Sequence, residues 1–257
     1  MIVYLTGTGN TLRVARKIAD NIGEPKVLEA QTLPLRIQLE DGEPLGIFFP
    51  VHGWRPPKLL RAILRNLQVG GYSADRNYVY AVCTAGDTVG EAMRYLADDL
   101  RSIGVALDAA FDVQMPNTYI GLPFMDVDSH SLEERKLEES ERRIIDVASK
   151  IKARAEGEDL TLKGRWPRTN SRLLGCLFAD ALVTDAHFHV DTAKCVGCGI
   201  CEKSCPTQDI LMSESGSPEW EHNKKCMTCF ACYHDCPKHA IQYGWMTRGK
   251  GQYRLPR

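Results

Sequence analysis

Two runs of cysteines are the main source of chemistry in this chain of 257 residues. Both runs read C-x2-C-x2-C-x3-C-P, and each cysteine of the first run has a counterpart 31 residues later in the second. The first run contains Cys195, Cys198, Cys201 and Cys205, and the second contains Cys226, Cys229, Cys232 and Cys236. The region is therefore an internal duplication of one small unit, and two copies are too few for a solenoid.

Three cysteines separated by two residues each can bind three corners of an iron–sulfur cubane. The chain between them must curl tightly, and Gly197 and Gly199 ease this curl in the first run. The fourth cysteine, which precedes a proline, is expected to bind the other cluster. The predicted ligand sets are Cys195, Cys198, Cys201 and Cys236 for one 4Fe–4S cluster, and Cys226, Cys229, Cys232 and Cys205 for the second.

Zinc and disulfide bonds are the two alternatives for these cysteines. A structural zinc site typically takes its ligands as two C-x2-C pairs, which differs from three close cysteines followed by a fourth before proline. Disulfides are rare in the cytoplasm, the compartment we expect here. Cys83 and Cys176 lie outside the runs, and we expect neither to have a redox role. The stretch from Phe188 to Tyr243 resembles a two-cluster bacterial ferredoxin, which implies low-potential one-electron transfer.

A second candidate site lies near the N-terminus, where the sequence predicts a strand, a loop and a helix in succession. The apolar strand IVYL runs into TGTGNT, residues 6–11, and then into LRVARKIADNIG, whose apolar residues recur with helical spacing. A helix N-terminus with unpaired N–H groups binds anions. The loop lacks the lysine of a nucleoside-triphosphate loop, and it differs from G-x-G-x-x-G, whose third glycine would fall on Leu12.

The elements that must position this loop alternate between strands and helices through residue 156. Further strands are predicted in KVLEA, LGIFFPV, NYVYAVCTAG and VALDAAFDVQM, with helices after each of the last three. This alternation predicts an α/β fold, a doubly wound five-stranded parallel sheet with helices on both faces. Ligands of such sheets bind at the carboxyl ends of the strands.

In this context, residues 1–156 resemble a flavodoxin, a protein that binds FMN. The resemblance implies a phosphate loop made of Thr6, Gly7, Thr8, Gly9, Asn10 and Thr11. It also implies two loops over the isoalloxazine ring, formed by Val51, His52, Gly53 and Trp54 and by Thr84, Ala85, Gly86, Asp87 and Gly90.

The second ring loop lacks the tyrosine often found there in flavodoxins. One ring face is therefore expected to meet Tyr119 or the ferredoxin-like domain. Trp54 is the candidate for stacking on the ring, with a core or interface tryptophan as the alternative. His52 is expected to pack or to form hydrogen bonds, and not to transfer protons.

Residues 157–186 form the predicted linker, and residues 187–257 the ferredoxin-like domain. Within the linker, SRLLGCLFADAL is apolar enough for a helix packed between the domains, with a membrane-surface helix as the alternative. The C-terminal MTRGKGQYRLPR carries four positive and no negative charges. It is expected to be a solvated tail, or else a docking segment for an acidic partner.

Composition limits the remaining classes of function. A net charge of −1 without a basic block disfavours nucleic-acid binding. The N-terminus lacks the charged region of a signal peptide, and no apolar run approaches the length of a membrane span. The sequence thus predicts a cytoplasmic protein without an integral membrane segment.

The two resemblances combine into an oxygen-sensitive flavodoxin–ferredoxin fusion of anaerobic prokaryotes. Such a protein would pass electrons between two 4Fe–4S clusters and FMN, with redox proteins as partners. The alternatives are a non-redox zinc scaffold and a flavin-dependent reductase of a small organic substrate, which the long loop from Met115 to His130 would bind. The nearer cluster is expected to approach the flavin by the loops 51–55 and 85–90.

Overall fold

The computed structural model describes residues 1–255, and its first domain is built on a parallel sheet. The strands of this sheet are β1 (Ile2–Tyr4), β2 (Val27–Glu29), β4 (Leu45–Pro50), β6 (Val79–Ala85), β7 (Ala109–Gln114) and β8 (Glu158–Leu160). They lie in the order β2-β1-β4-β6-β7-β8, with every neighbouring pair parallel. A separate parallel pair joins β3 (Arg36–Gln38) to β5 (Gln68–Gly70).

The helices that cover this sheet are α1 (Asn10–Ile22), α2 (Lys58–Asn66), α3 (Ala92–Ser102) and α4 (His130–Lys152). Strand residues divide between two cores because successive side chains point to opposite faces. In β4, Ile47 and Phe49 pack into the core that includes residues of α2 and α3, and Phe48 packs into the core formed with α1 and α4. The three layers leave the carboxyl ends of the strands at one open edge of the sheet.

The strand order confirms the predicted fold class. With the β3–β5 pair set aside, the first five strands follow the flavodoxin-like order 2-1-3-4-5, and all five were predicted. The structure adds β8 at the edge of the sheet, in a stretch where the linker was expected. A three-residue strand with the sequence EDL has no apolar alternation to predict it. Its position is set by pairing with β7 and by Arg143, whose guanidinium donates to the Leu160 carbonyl at 2.7 Å.

The second domain is a small α+β unit. Strand β9 (Phe188–Val190) pairs with β12 (Ile241–Tyr243), and β10 (Ile210–Met212) pairs with β11 (Pro218–Trp220), both antiparallel. The short helices Ile200–Ser204 and Ala231–His234 contact each other. A third core of aromatic residues and cysteines fills the space between these elements.

Two segments join the domains. Residues 167–182 form one continuous helical segment with alternating α- and π-helical turns, and we call it the bridging helix. A helix here was predicted.

The second segment is the C-terminal one. The expectation of a solvated C-terminal tail was wrong, because Tyr253 and Leu255 are buried in the core shared by α1 and α4. Two apolar side chains in a basic segment are too few for a local pattern to predict this packing.

Within residues 1–255, no helix has the length and apolar character needed to cross a membrane.

Candidate functional site

A cavity of about 860 Å³ opens at the carboxyl ends of β1, β4, β6 and β7. Fourteen of the sixteen residues predicted for the flavin site line it, and the two exceptions are Gly9 and Gly90. Gly9 caps the start of α1, and Gly90 lies against Ser171 and Trp54. Four loops that are far apart in the sequence therefore meet around one space.

The loop before α1 has the features of an anion site. Helix α1 begins at Asn10, and Gly9 before it has a left-handed backbone with φ 98°. The Gly9 N–H donates to the Thr6 hydroxyl at 3.2 Å, which fixes the turn. The first turn of α1 contains no acidic residue, so the positive end of the helix dipole is uncompensated. The N–H groups at the start of α1 are therefore suited to bind a phosphate group.

Two of the predicted phosphate-loop side chains are already held by other parts of the chain. The hydroxyls of Thr11 and Thr84 are 2.8 Å apart in a buried hydrogen bond. The Asn10 amide donates to the Pro116 carbonyl at 3.0 Å, and its oxygen accepts a hydrogen bond from the Tyr253 hydroxyl at 2.8 Å. Tyr253 is thus a part of the site that the sequence analysis missed. No local signal links two residues at opposite ends of the chain.

The loop after β4 is a tight hairpin turn. His52 and Arg55 exchange backbone hydrogen bonds of 2.9 and 3.2 Å, and both central residues have positive φ, 55° at Gly53 and 59° at Trp54. This is the pattern of a type I′ turn. The Trp54 indole N–H donates to the Thr88 hydroxyl at 3.2 Å, which ties this loop to the one after β6. Burial lowers the pKa of His52 to about 4, so its imidazole is neutral at pH 7.

The bridging helix covers these two loops. A Cβ atom at Gly175 would lie 2.3 Å from the Gly53 carbonyl oxygen, so only glycine permits this approach. The Arg55 side chain donates to the Ser171 carbonyl at 2.6 Å, and the Ser171 hydroxyl accepts from the Glu91 N–H at 2.8 Å. The bridging helix therefore occupies part of the surface of the loops 51–55 and 85–90, by which the nearer cluster is expected to approach the flavin. That approach stays a prediction.

The cysteine domain meets the cavity at the phosphate loop. Thr228 and Cys229 line the cavity, and a Cβ atom at Gly7 would lie 2.6 Å from the Cys229 Cβ. The Gln31 amide donates to the Pro206 carbonyl at 2.9 Å and holds the same edge. The second cysteine run therefore faces the cavity directly.

The two predicted ligand sets lie in separate pockets. The first pocket is lined by Cys195, Cys198, Cys201 and Cys236, and the second by Cys205, Cys226, Cys229 and Cys232. The fourth cysteine of each run thus lies beside the first three cysteines of the other run, the arrangement expected for crossed ligation.

Backbone N–H groups donate to cysteine sulfurs in both pockets. Asp209 donates to Cys205 and Ala240 donates to Cys236, each at 3.3 Å and at equivalent positions of the repeat. Four thiols with N–H donors suit an iron–sulfur cube, in which each cysteine binds a different iron atom. In the described part of the chain, no three His, Cys, Asp or Glu side chains are grouped to hold a single metal ion.

The two pockets differ in exposure. Cys198 is exposed in the first pocket, next to Val196 with 61% of its surface exposed. In the second pocket, burial raises the pKa of the Cys229 thiol to about 12 and that of Cys232 well above its usual value. Thiolates at such buried positions need the charge compensation that a bound metal supplies.

Comparison with known proteins supports an iron–sulfur domain in the second part of the chain. Residues 187–237 match the family described as "4Fe-4S dicluster domain". The chain joins a flavodoxin-like domain to a 4Fe–4S dicluster domain. An uncharacterized protein of Methanocaldococcus jannaschii, MJ0749, is 34% identical over 59 residues, which are 23% of this chain and 22% of that protein. The match therefore spans about a fifth of the relative's length.

Two solved flavodoxins resemble the region before the dicluster domain. One, from the domain Archaea, is 19% identical to this chain, with a TM-score of 0.33. The alignment covers 59% of this chain and 96% of that flavodoxin. The other, from Fusobacterium nucleatum and bound to flavin mononucleotide, is 15% identical to this chain, with a TM-score of 0.38. The alignment covers 60% of this chain and 97% of that flavodoxin. The fold assignment itself rests on the strand order.

Proposed function

We propose that this protein holds FMN in the cavity and two 4Fe–4S clusters in the dicluster domain, and passes electrons between them. The position of Cys229 carries the proposal: this predicted cluster ligand lines the cavity and packs against Gly7 of the phosphate loop. Bound FMN exchanges one or two electrons and each cluster exchanges one, so a protein with both groups couples one-electron and two-electron carriers.

In this proposal, the residues divide by the group they hold. The start of α1 and the loop Thr6–Thr11 bind the FMN phosphate, and the residues 51–54, 84–87 and Tyr119 surround the ring. The clusters take the two crossed cysteine sets. The exposed pocket around Cys198 faces solvent, where redox partner proteins of the cytoplasm exchange electrons with the first cluster.

Cofactor content provides the first test. Oxygen-free purified protein is expected to contain iron, labile sulfide and a flavin that mass spectrometry identifies as FMN. The double variant Thr8→Val and Thr11→Val is expected to lose flavin and keep its iron. Because Thr11 also bonds Thr84, the single variant Thr8→Val, which keeps that internal hydrogen bond, is tested beside the double variant. Equal flavin content in the double variant and the wild type would overturn the assignment of this loop.

Rapid mixing of the loaded protein with a low-potential one-electron donor provides the second test. If the electrons pass within one chain, one phase of flavin reduction keeps the same rate when the protein concentration is raised. A rate that rises in proportion to protein concentration at constant donor excess would show transfer between molecules and contradict the proposal.

A further inference from the structure

Part of the cavity wall consists of apolar residues outside the flavodoxin-like sheet. We call this part the apolar half, and its members are Leu122, Phe124, Met125, Leu174, Leu177, Phe178, Ala181 and Leu182. Three of them belong to the loop after β7 and the other five to the bridging helix. The rest of the lining includes the threonines of the phosphate loop and of the loop after β6. The cavity lining therefore combines a polar group of residues with an apolar one.

The bridging helix is oriented against the usual pattern. A helix that packs on a domain normally turns its large apolar residues inward. Here Ser171 is fully buried and Gly175 faces the domain, whereas Leu177 is 59% exposed on the cavity side. Phe124, which also lines the cavity, is 84% exposed. Large apolar side chains grouped around a concave opening are typical of a ligand-binding site.

The charges around the cavity limit the ligand. Among the described residues that line it, Asp87 carries the only carboxylate, and none is lysine or arginine. Lys136, behind the loop after β6, donates to the Gly86 carbonyl at 2.8 Å and to Asp128 at 2.7 Å. An anionic ligand would therefore find no free cation in the apolar half. Desolvating its charge without a partner is strongly unfavourable.

We infer that the apolar half binds a neutral, planar aromatic molecule beside the flavin, an inference that rests on the proposed function. Flat rings suit a lining that includes Phe124, Met125 and Phe178. Phe178 is held in place by Tyr119, with ring centroids 5.1 Å apart. FMN and the aromatic molecule would share a cavity of about 860 Å³, near the upper end of the range of about 300–1,000 Å³ for small-molecule sites.

The test uses full-length protein in oxygen-free buffer, and FMN is titrated first. Calorimetry with 2-naphthol then measures binding to the FMN-saturated protein, and 2-naphthalenesulfonate is the matched anion. We expect one site for 2-naphthol and binding of the sulfonate weaker by at least about tenfold. Leu177→Glu is expected to weaken 2-naphthol binding by about tenfold with unchanged FMN affinity. Leu211→Glu, at a site 50% exposed outside the cavity, is the control and should change neither.

Three outcomes would overturn the inference. If saturation with FMN abolishes 2-naphthol binding, the apolar half only covers the flavin. If Leu177→Glu and Leu211→Glu behave alike, binding is non-specific. If wild-type protein sediments with anionic phospholipid vesicles and Leu177→Glu does not, the exposed leucines contact a membrane instead. Failure to bind FMN in the first titration would contradict the proposed function, and it is recorded separately from these results.

Discussion

The two copies of the cysteine repeat have the same backbone but different side chains at its strained positions. Left-handed φ angles recur in the pairs Gly197 (66°) and Thr228 (51°), Gly199 (69°) and Phe230 (62°), and Gln208 (53°) and His239 (49°). A non-glycine residue in this conformation costs about 1 kcal/mol or more. The first copy avoids that cost at two positions, and the second copy accepts it.

Contacts made by the second copy offset this strain. The Thr228 hydroxyl accepts the Thr184 N–H at 2.9 Å and lies 3.2 Å from the Thr184 carbonyl oxygen. The Phe230 ring packs edge-on against Tyr119, with centroids 5.5 Å apart, and against Tyr243 at 5.3 Å. Thr228 lines the cavity, and Phe230 packs on Tyr119, which also lines it. The copy with glycines at these positions is next to solvent. The copy with Thr228 and Phe230 is the one that contacts the first domain.

Replacing the fourth cysteine of each run should have the largest effect. It tests which cluster each copy of the repeat binds. We expect Cys205→Ser to alter the cluster that Cys229→Ser alters, and Cys236→Ser to match Cys198→Ser, because each fourth cysteine lies in the other run's pocket. Each variant should lose up to about half of the iron. Electron paramagnetic resonance of reduced protein would group the variants. A shared spectrum for Cys205→Ser and Cys198→Ser would contradict crossed ligation.

Phe230→Ala should have the next largest effect, a loss of about 3 kcal/mol in the free energy of unfolding. The alanine keeps the strained backbone but loses the packing of a fully buried ring. Phe230→Gly should recover part of the loss because glycine relieves the positive φ. Denaturant unfolding of the loaded protein measures both. Phe124→Ala, at an exposed position, is the control. Equal stability of Phe230→Ala and Phe124→Ala would mean that the ring does not support the interface.

Tyr253→Phe tests how the C-terminal segment ties the second copy to the cavity. The Tyr253 N–H donates to His234 Nδ1 at 3.2 Å, and its hydroxyl donates to Asn10. Loss of the hydroxyl leaves the Asn10 side chain held only by the Pro116 carbonyl, so we expect FMN to bind about fivefold more weakly with unchanged iron content. Tyr72→Phe removes a hydroxyl that accepts the Ala106 N–H, and it is the matched control. Identical FMN dissociation constants for the two variants would exclude this positioning role.

The smallest effect is expected at Thr228. Thr228→Ala keeps the positive φ and loses the contacts with Thr184, so it should lower the free energy of unfolding by about 1 kcal/mol. Thr228→Gly loses the same contacts but relieves the strain, and its effect should be smaller. The thermal midpoints of the two variants give the comparison directly. A lower midpoint for the glycine variant would show that backbone strain is not what separates the two copies.

The local patterns of the sequence were sufficient for most of the fold. Cysteine spacing predicted the second domain and the grouping of its ligand sets. Short apolar runs that alternate with helical patterns predicted five strands of the sheet. The flavin site is a different case, because its residues were predicted by resemblance to flavodoxins. The structure brings most of them to one cavity, and whether they bind FMN remains a prediction for the tests above.

The sequence by itself determined the features that are encoded within one element or one repeat. These are the apolar patterns of the helices and strands, the glycine-rich turn before α1, and the offset between the cysteine runs. Only the tertiary structure decided that Tyr253 bonds Asn10, that Cys229 packs on Gly7, and that β8 extends the sheet. It also decided that the bridging helix covers the loops after β4 and β6. The physical reason is that these contacts join residues far apart in the chain and form only when whole domains pack together. The periodicity of apolar residues in the sequence indicates only which face of each element is buried.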